Sequence, residues 1–403
     1  MGSYREVGAS IEPHELFSSF SPLHRFRERL IVRILLSTPI FEMAGGGAEN
    51  FAFRLSRALS DRGHDMHVVT DRGDPVPGVS VHHGIAEIKK VLAEVRPDLS
   101  VDWGFNHPAD IHRLGGGAHQ YFLEHSLNAY HGLLRWYKRL RSRSPKHRAL
   151  IRKQAEMLRR PGAFFLANSR FAADQVIAVG AAPEAVGVLH NGVDTGLFRP
   201  ARGKEAADRL RARWGLGPSD VAVLFVAHNL LLKNFALLRD LFQELASRSP
   251  EMKLIVVGKR KPSLMPPNSV YAGELSDMVT CYQAADGLAH PTFFDSCANV
   301  VLEGMSTGLP VVTSNVCGAH ELVGEGQSGF VLPVTGKKRE IRDQWLKTLQ
   351  VLGGDEERRR RMGAAGREAM VRNDFGIYVT RLEGYMKQVL ERKKKQGWVK
   401  QPH

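Results

Sequence analysis

The stretch His290-Pro291-Thr292-Phe293-Phe294-Asp295-Ser296-Cys297-Ala298-Asn299-Val300-Val301-Leu302-Glu303-Gly304-Met305-Ser306-Thr307-Gly308-Leu309-Pro310-Val311-Val312-Thr313-Ser314 decides how the chain is read. It begins as the end of a strand and passes through a polar turn. A short helix stopped by Gly308 comes next, then a second strand from Pro310, because β-branched Val311, Val312 and Thr313 follow the breaker. Two carboxylates frame this unit: Asp295 in the loop and Glu303, expected about two turns into the helix. In an open α/β sheet, ligands bind where a loop and a helix N-terminus follow a strand's carboxyl end, and the orphan amides of that helix start favour anions.

The same alternation extends outward. Residues 30–37 read as a strand, residues 39–47 as a loop ending in Gly45-Gly46-Gly47, and residues 48–59 as a helix with Phe51, Leu55, Ala58 and Leu59 at helical spacing. Arg62-Gly63-His64 closes that helix before His67-Val68-Val69-Thr70 resumes as a strand, giving a βαβ unit with a glycine-rich first turn. Phe164-Phe165-Leu166-Ala167 is a further strand, leading to a helix near Phe171, and residues 201–217, rich in Arg, Ala and Glu, read as a linker carrying a solvated helix. Val221-Ala222-Val223-Leu224-Phe225-Val226-Ala227 opens a second series, continued by an amphipathic helix over 235–247 and a strand over 253–257 that ends at Gly258. Strands alternating with helices in this way predict an α/β protein with parallel sheets covered on both faces.

At 403 residues the chain fits two domains of ordinary size. A hydrophobic content of 43% with 24% charged residues describes a globular protein rather than a disordered one. Lys and Arg number 56 against 42 acids, and the resulting +14 points to an anionic partner or surface. Cys281, Cys297 and Cys317 show no CxxC spacing, so neither a zinc site nor a disulfide framework is expected, and a reducing cytoplasm is the simplest compartment. No uninterrupted apolar run reaches the roughly 18–20 residues of a spanning helix. Residues 1–28 lack the apolar core of a secretory signal and are expected to form an extension.

The opening stretch resembles the C-terminal signature of glycosyltransferase family 4, in which two glutamates are separated by seven residues; here the pair is Asp295 and Glu303. Asn191-Gly192-Val193-Asp194 with Phe198-Arg199-Pro200, and the glycine turn ending in Ala48-Glu49, are similar to further marks of that family. The likeness is nearest to the lipopolysaccharide-core glucosyltransferase I group. It implies the GT-B architecture, two Rossmann-like doubly wound domains facing across a cleft. The expected limits are 1–28 extension, 29–200 acceptor-side domain, 201–372 nucleotide-sugar domain, and 373–403 a helix crossing back to the first domain with a basic tail.

The resemblance also implies roles. Glu303 holds the donor ribose, and Asp295, one methylene shorter than the family's glutamate, lies near the transferred sugar. Lys233 binds the diphosphate, with His228 or Asn229 where the family often has an arginine, and Gly258 belongs to the same donor site. The helix-start amides of Ala298, Asn299 and Val300 form a second anion site, and Gly45, Gly46 and Gly47 approach the diphosphate from the other domain. The family also places a histidine near the transferred sugar. His119, after Gly115-Gly116-Gly117-Ala118, is the first candidate and His125 the second. The chemistry implied is hexosyl transfer with retention, with no covalent nucleophile, no cofactor and no metal; the chain has no Asp-x-Asp pair.

Residues 135–160 carry eleven basic residues against the single acid Glu156, and Trp136 and Tyr137 give this block an aromatic edge. Arg139, Arg141 and Arg143 lie at its centre. This composition is that of interfacial helices on anionic membranes, with a solvated charged helix and nucleic acid as the competing readings. The combined expectation is transfer of a UDP-linked hexose, glucose first, to a lipid-linked saccharide such as the lipopolysaccharide core, by a cytoplasmic protein peripheral on the inner face of the membrane. The alternatives are a nucleotide-sugar epimerase of the same fold and a non-catalytic basic membrane-binding protein.

Overall fold

The computed structural model describes residues 31–43 and 47–395. The extension read over residues 1–28, the loop glycines Gly45 and Gly46, and the end of the basic tail lie outside the described residues.

Two parallel sheets organise the described chain. The first runs Val79–His83, Asp65–Thr70, Arg33–Ser37, Leu99–Asp102, Ile111–Leu114, Phe164–Ala167, Val186–Val188. The second runs Ser269–Gly273, Met252–Val257, Val221–Val226, Gly287–His290, Val311–Ser314, Gly329–Leu332. Numbered in chain order within each sheet, these are 3-2-1-4-5-6-7 and 3-2-1-4-5-6, the doubly wound arrangement. Its strand order reverses beside strand 1, and the connections there part to opposite faces, opening a crevice at the carboxyl ends of strands 1 and 4.

The sequence explains the burial. Val221–Val226 is apolar at every position because helices cover both faces of its sheet. The helix Phe235–Arg248 turns Phe235, Leu238, Leu241, Phe242 and Leu245 inward along one stripe. The segment read as a linker takes part in the second core: Ala207 and Trp214 are buried there, and Arg211 reaches Asp286 at 2.8 Å. Its helix, Glu205–Arg213, is a packed element, because alanine and tryptophan among the charges supply the apolar face.

The last helix, Phe375–Lys395, buries Tyr378, Val379, Leu382, Met386 and Val389 in the core of the first sheet with Ile34, Leu36, Leu55 and Leu166. The chain therefore crosses between the sheets twice, and the crossings run side by side. Phe375 donates its amide to the Val193 carbonyl at 2.9 Å, Asn373 its side-chain amide to the Asn191 carbonyl at 2.7 Å, and Thr195 its hydroxyl to Asp374 at 2.6 Å.

Candidate functional site

Strands 1 and 4 of the second sheet place the central residues. Val221–Val226 leads into a turn in which Lys233 donates its amide to the Asn229 carbonyl at 3.0 Å, while Gly287–His290 leads into the loop holding Asp295. The two loops are fastened at one point: the Leu232 carbonyl accepts from the Phe293 amide at 2.9 Å and the Thr292 hydroxyl at 3.2 Å. Lys233 and Asp295, sixty-two positions apart, consequently meet in a direct ion pair at the crevice.

Burial works against the ionisation of Asp295, but the Lys233 charge and the adjacent His290 hold its carboxyl well below the usual carboxylate range. Its other oxygen accepts from the Cys297 amide at 3.2 Å. His290 Nε2 lies 3.7 Å from the carboxylate, and burial pushes this imidazole down, with Asp295 opposing. The pair is thus a fixed anion and cation, both partly open to solvent.

Glu303 is the fifth residue of the helix Asn299–Ser306, just over one turn in rather than two, because the helix begins only after the N-cap Ala298. Its Oε2 accepts from the Tyr282 hydroxyl at 2.7 Å. Burial pushes the Glu303 carboxyl up, opposed by that hydrogen bond and by the positive charge of Arg54. Arg54 belongs to Gly47–Asp61 of the first domain, where it stacks over Phe375 and binds Asp194 at 3.0 Å. Asn299 and Val300 occupy the first turn of the helix, whose amides have no partner inside it. The Ala298 amide instead faces the Cys317 thiol. Asn299 also accepts from the Asn191 side chain at 2.8 Å.

The remaining expectations are placed as follows. Gly258 ends its strand against Ala227, where a Cβ would collide with the Ala227 carbonyl, so only glycine fits. His228 is exposed beside the Lys233 turn. Of the glycine turn, only Gly47 is described, as the first residue of its helix. His119 opens the helix His119–Ser126 and shares a hydrogen bond of 3.0 Å with His147, with the two rings stacked; burial and the His147 charge both push it down. His125 packs against Phe171 and Phe294, next to Asp295. Trp136, Tyr137, Arg139 and Arg141 lie on the helix Gly132–Arg141, which buries no residue, and Arg143 lies beyond its end. The basic block is two helices rather than one, since Ser144 caps and Pro145 starts a second, Pro145–Leu158.

Sequence reasoning missed the groups that join the two halves. Glu321 of the second domain accepts the Arg170 amide at 2.8 Å and the Phe171 amide at 2.7 Å, capping the first domain's helix Arg170–Val179. It also bonds His190 Nε2 at 2.7 Å. Ser296 donates to the Gly115 carbonyl and accepts from Asn168 at 3.0 Å. A glutamate in a short 3-10 turn carries no sequence signal for such a role. Tyr282, the partner of Glu303, reads simply as a core aromatic.

Glu321 provides a direct test of closure. Burial pushes its carboxyl up, and His190 with the two amides outweighs this, leaving it below the usual range. Its contribution is therefore complete above the ordinary glutamate value and is lost only as the pH falls through the lowered folded-state value. Glu321→Ala is expected to raise the radius of gyration in small-angle scattering at neutral pH, with secondary structure retained. An unchanged radius would mean that this clasp does not hold the halves together.

Residues 221–350 match the family model described as "Glycosyl transferases group 1". The chain is 32% identical over 200 residues to a protein of Segniliparus rotundus named D-inositol 3-phosphate glycosyltransferase, covering 46% of this chain and 42% of that one. It spans less than half the length of that curated relative. Among solved structures it is similar to WaaG, a glycosyltransferase involved in lipopolysaccharide biosynthesis, with TM-score 0.68, 18% identity, and 87% of this chain and 98% of the other covered. It is likewise similar to Anabaena Alr3699/HepE in complex with UDP-glucose, with TM-score 0.68, 17% identity, and coverage of 89% and 100%. The chain thus has the GT-B fold, and its second domain matches the glycosyl transferases of group 1 over residues 221–350.

Proposed function

We propose that this protein transfers a hexose from a UDP-linked donor to a lipid-linked saccharide acceptor at an anionic membrane surface, with retention and without a metal. The observation that carries the reading is the Lys233–Asp295 ion pair beside the Glu303 helix, at the switch point of a GT-B second domain. Lys233 and the Asn299 and Val300 amides receive the diphosphate, where negative charge grows as the bond to C1 of the sugar breaks. Glu303, oriented by Tyr282, accepts the ribose hydroxyls, and ionised Asp295, an acceptor only, takes hydroxyls of the sugar. The acceptor oxygen then bonds to C1 on the face that UDP leaves, and its proton passes to the departing phosphate oxygen. No protein nucleophile is needed for this step.

Glu303→Ala is expected to weaken UDP-hexose binding by about 1.5–3 kcal/mol for each charged hydrogen bond lost. Wild-type binding should weaken with acidification at a pH above the ordinary glutamate range, because the Glu303 pKa is raised and its protonated form accepts poorly. Lys233→Ala should reduce the transfer rate more than donor affinity, and excess chelator should leave the initial rate unchanged. The assay is transfer from labelled UDP-hexoses to lipid-linked saccharides. An isomerised donor would favour the epimerase reading, a strict need for a divalent ion would remove the metal-free mechanism, and a donor titration unaffected by Glu303→Ala would remove the role of Glu303.

The membrane component rests on the helix Gly132–Arg141. Leu133, Trp136, Tyr137 and Leu140 recur at helical spacing on one face, yet Leu133 is 86% and Trp136 65% exposed. An apolar face turned to solvent between arginines suits the boundary of an anionic bilayer. Replacing Arg139, Arg141, Arg143 and Arg148 together by Gln is expected to release the protein from anionic vesicles while UDP binding persists, and high salt should imitate the variant. Equal sedimentation of variant and wild type would instead leave these helices as solvated charged elements.

A further inference from the structure

The strand Gly287–His290 ends in a buried imidazole that has no part in the transfer described above. His290 is 1% exposed, and neither of its ring nitrogens has a hydrogen-bond partner among the described residues. Buried polar side chains nearly always find partners, so an imidazole with two orphaned nitrogens calls for an explanation. Its Nε2 stands 3.7 Å from Asp295 Oδ2, just beyond hydrogen-bond reach. That oxygen is the one Lys233 holds. Lysine and histidine therefore compete for a single carboxylate oxygen, and in this structure the lysine has it.

The charges around the ring set its affinity for a proton. Burial pushes the His290 imidazole down and the Lys233 charge acts in the same direction, while the Asp295 carboxylate opposes both. Thr313, opposite it on the neighbouring strand, presents only a hydroxyl, which donates to the His290 carbonyl at 3.4 Å. Cys317, paired with Asp295 by backbone, is a thiol that burial pushes up to about 11, so it carries no charge near neutral pH. A diphosphate would change this balance, because its oxygens offer the ammonium more negative charge than one carboxylate does. As Lys233 turns away, Asp295 loses the charge that keeps it ionised, and His290 loses a charge that keeps protons off it. Both changes favour a proton on Nε2, donated to Oδ2 across a gap that a shift of about 1 Å closes.

We infer that His290 is a positioning residue that takes over Asp295 when Lys233 turns to the donor diphosphate, accepting one proton from solvent and keeping the carboxylate charged and in place for the sugar hydroxyls. The trigger of this exchange rests on the UDP-hexose reading above; the competition for Oδ2 rests on the geometry alone.

The probe is UDP-glucose, whose diphosphate is esterified at both ends and has no proton to exchange near neutral pH. Calorimetric titrations of the full chain at neutral pH, in buffers of different ionisation enthalpy, count the protons moved on binding. Wild type is expected to take up about half a proton or more per UDP-glucose, and its affinity to fall as the pH is raised from neutral. Ionisation of Glu303 on binding would release protons, so it cannot produce an uptake. His290→Gln, which can donate to Asp295 but cannot titrate, should bind UDP-glucose with an enthalpy independent of the buffer, whereas His228→Gln should take up protons as wild type does. NMR of the histidine ring nitrogens gives a second reading that needs no change at His290. Lys233→Met without ligand should show His290 protonated at neutral pH, and wild type should show it so only with UDP-glucose bound. Binding without uptake by wild type, an uptake that survives His290→Gln, or a His290 left unprotonated in Lys233→Met overturns the inference. A wild type that binds no UDP-glucose, with His290 protonated in Lys233→Met, leaves the exchange of counter-ions standing and removes the donor reading.

Discussion

A half-buried carboxylate that must stay charged is the constraint around which the second domain is arranged. Asp295 lies in the loop that follows the strand Gly287–His290, and its partial burial works against its charge. The Lys233 ammonium counters this, and the Leu232 carbonyl, by holding the Phe293 amide and the Thr292 hydroxyl, keeps the lysine's turn against the aspartate's loop. Each charge needs the other: removing either would strand its partner at a cost of about 3–5 kcal/mol for fully buried pairs, and less here because both remain partly solvated. The same pairing leaves a cation and an anion side by side at the mouth of a crevice, which is a suitable arrangement for a ligand with a charged diphosphate and a hydroxylated ring.

The two halves are linked by contacts of a different kind. The crossing strands at residues 191–195 and 373–375 form a narrow, hydrogen-bonded waist. Away from it, Glu321 and Ser296 reach into the first domain through hydrogen bonds, and Phe294 packs against Phe122 and Phe171 of that domain. Polar contacts of this sort are individually modest and exchange readily with water. A waist that persists and polar clasps that can be released are elements that would let two domains open and close about it.

Much of this was legible in the chain. The alternation of apolar strands with amphipathic helices announced two doubly wound sheets, since a buried parallel strand such as Val221–Val226 has no polar position. Lys233, Asp295 and Glu303 were singled out by resemblance to a family signature, and the structure brings Lys233 and Asp295 into one ion pair beside the helix that carries Glu303. Groups whose roles depend on distant partners left no such trace: Tyr282 meets Glu303 from another helix, Arg54 reaches it from the first domain, and Glu321 caps a helix 150 positions away. The linker reading over 201–217 failed for a related reason. A helix dense in charge looks solvated until Trp214 and Ala207 are seen to supply its buried side.

The central claim is that Lys233 stands where a diphosphate arrives. The most direct measurement compares the affinities of UDP and uridine for wild type and Lys233→Met, because their ratio isolates the diphosphate from the nucleoside. The account predicts that UDP's advantage over uridine falls by at least tenfold in the variant while uridine binds as before. An advantage of the same size in both proteins would contradict it.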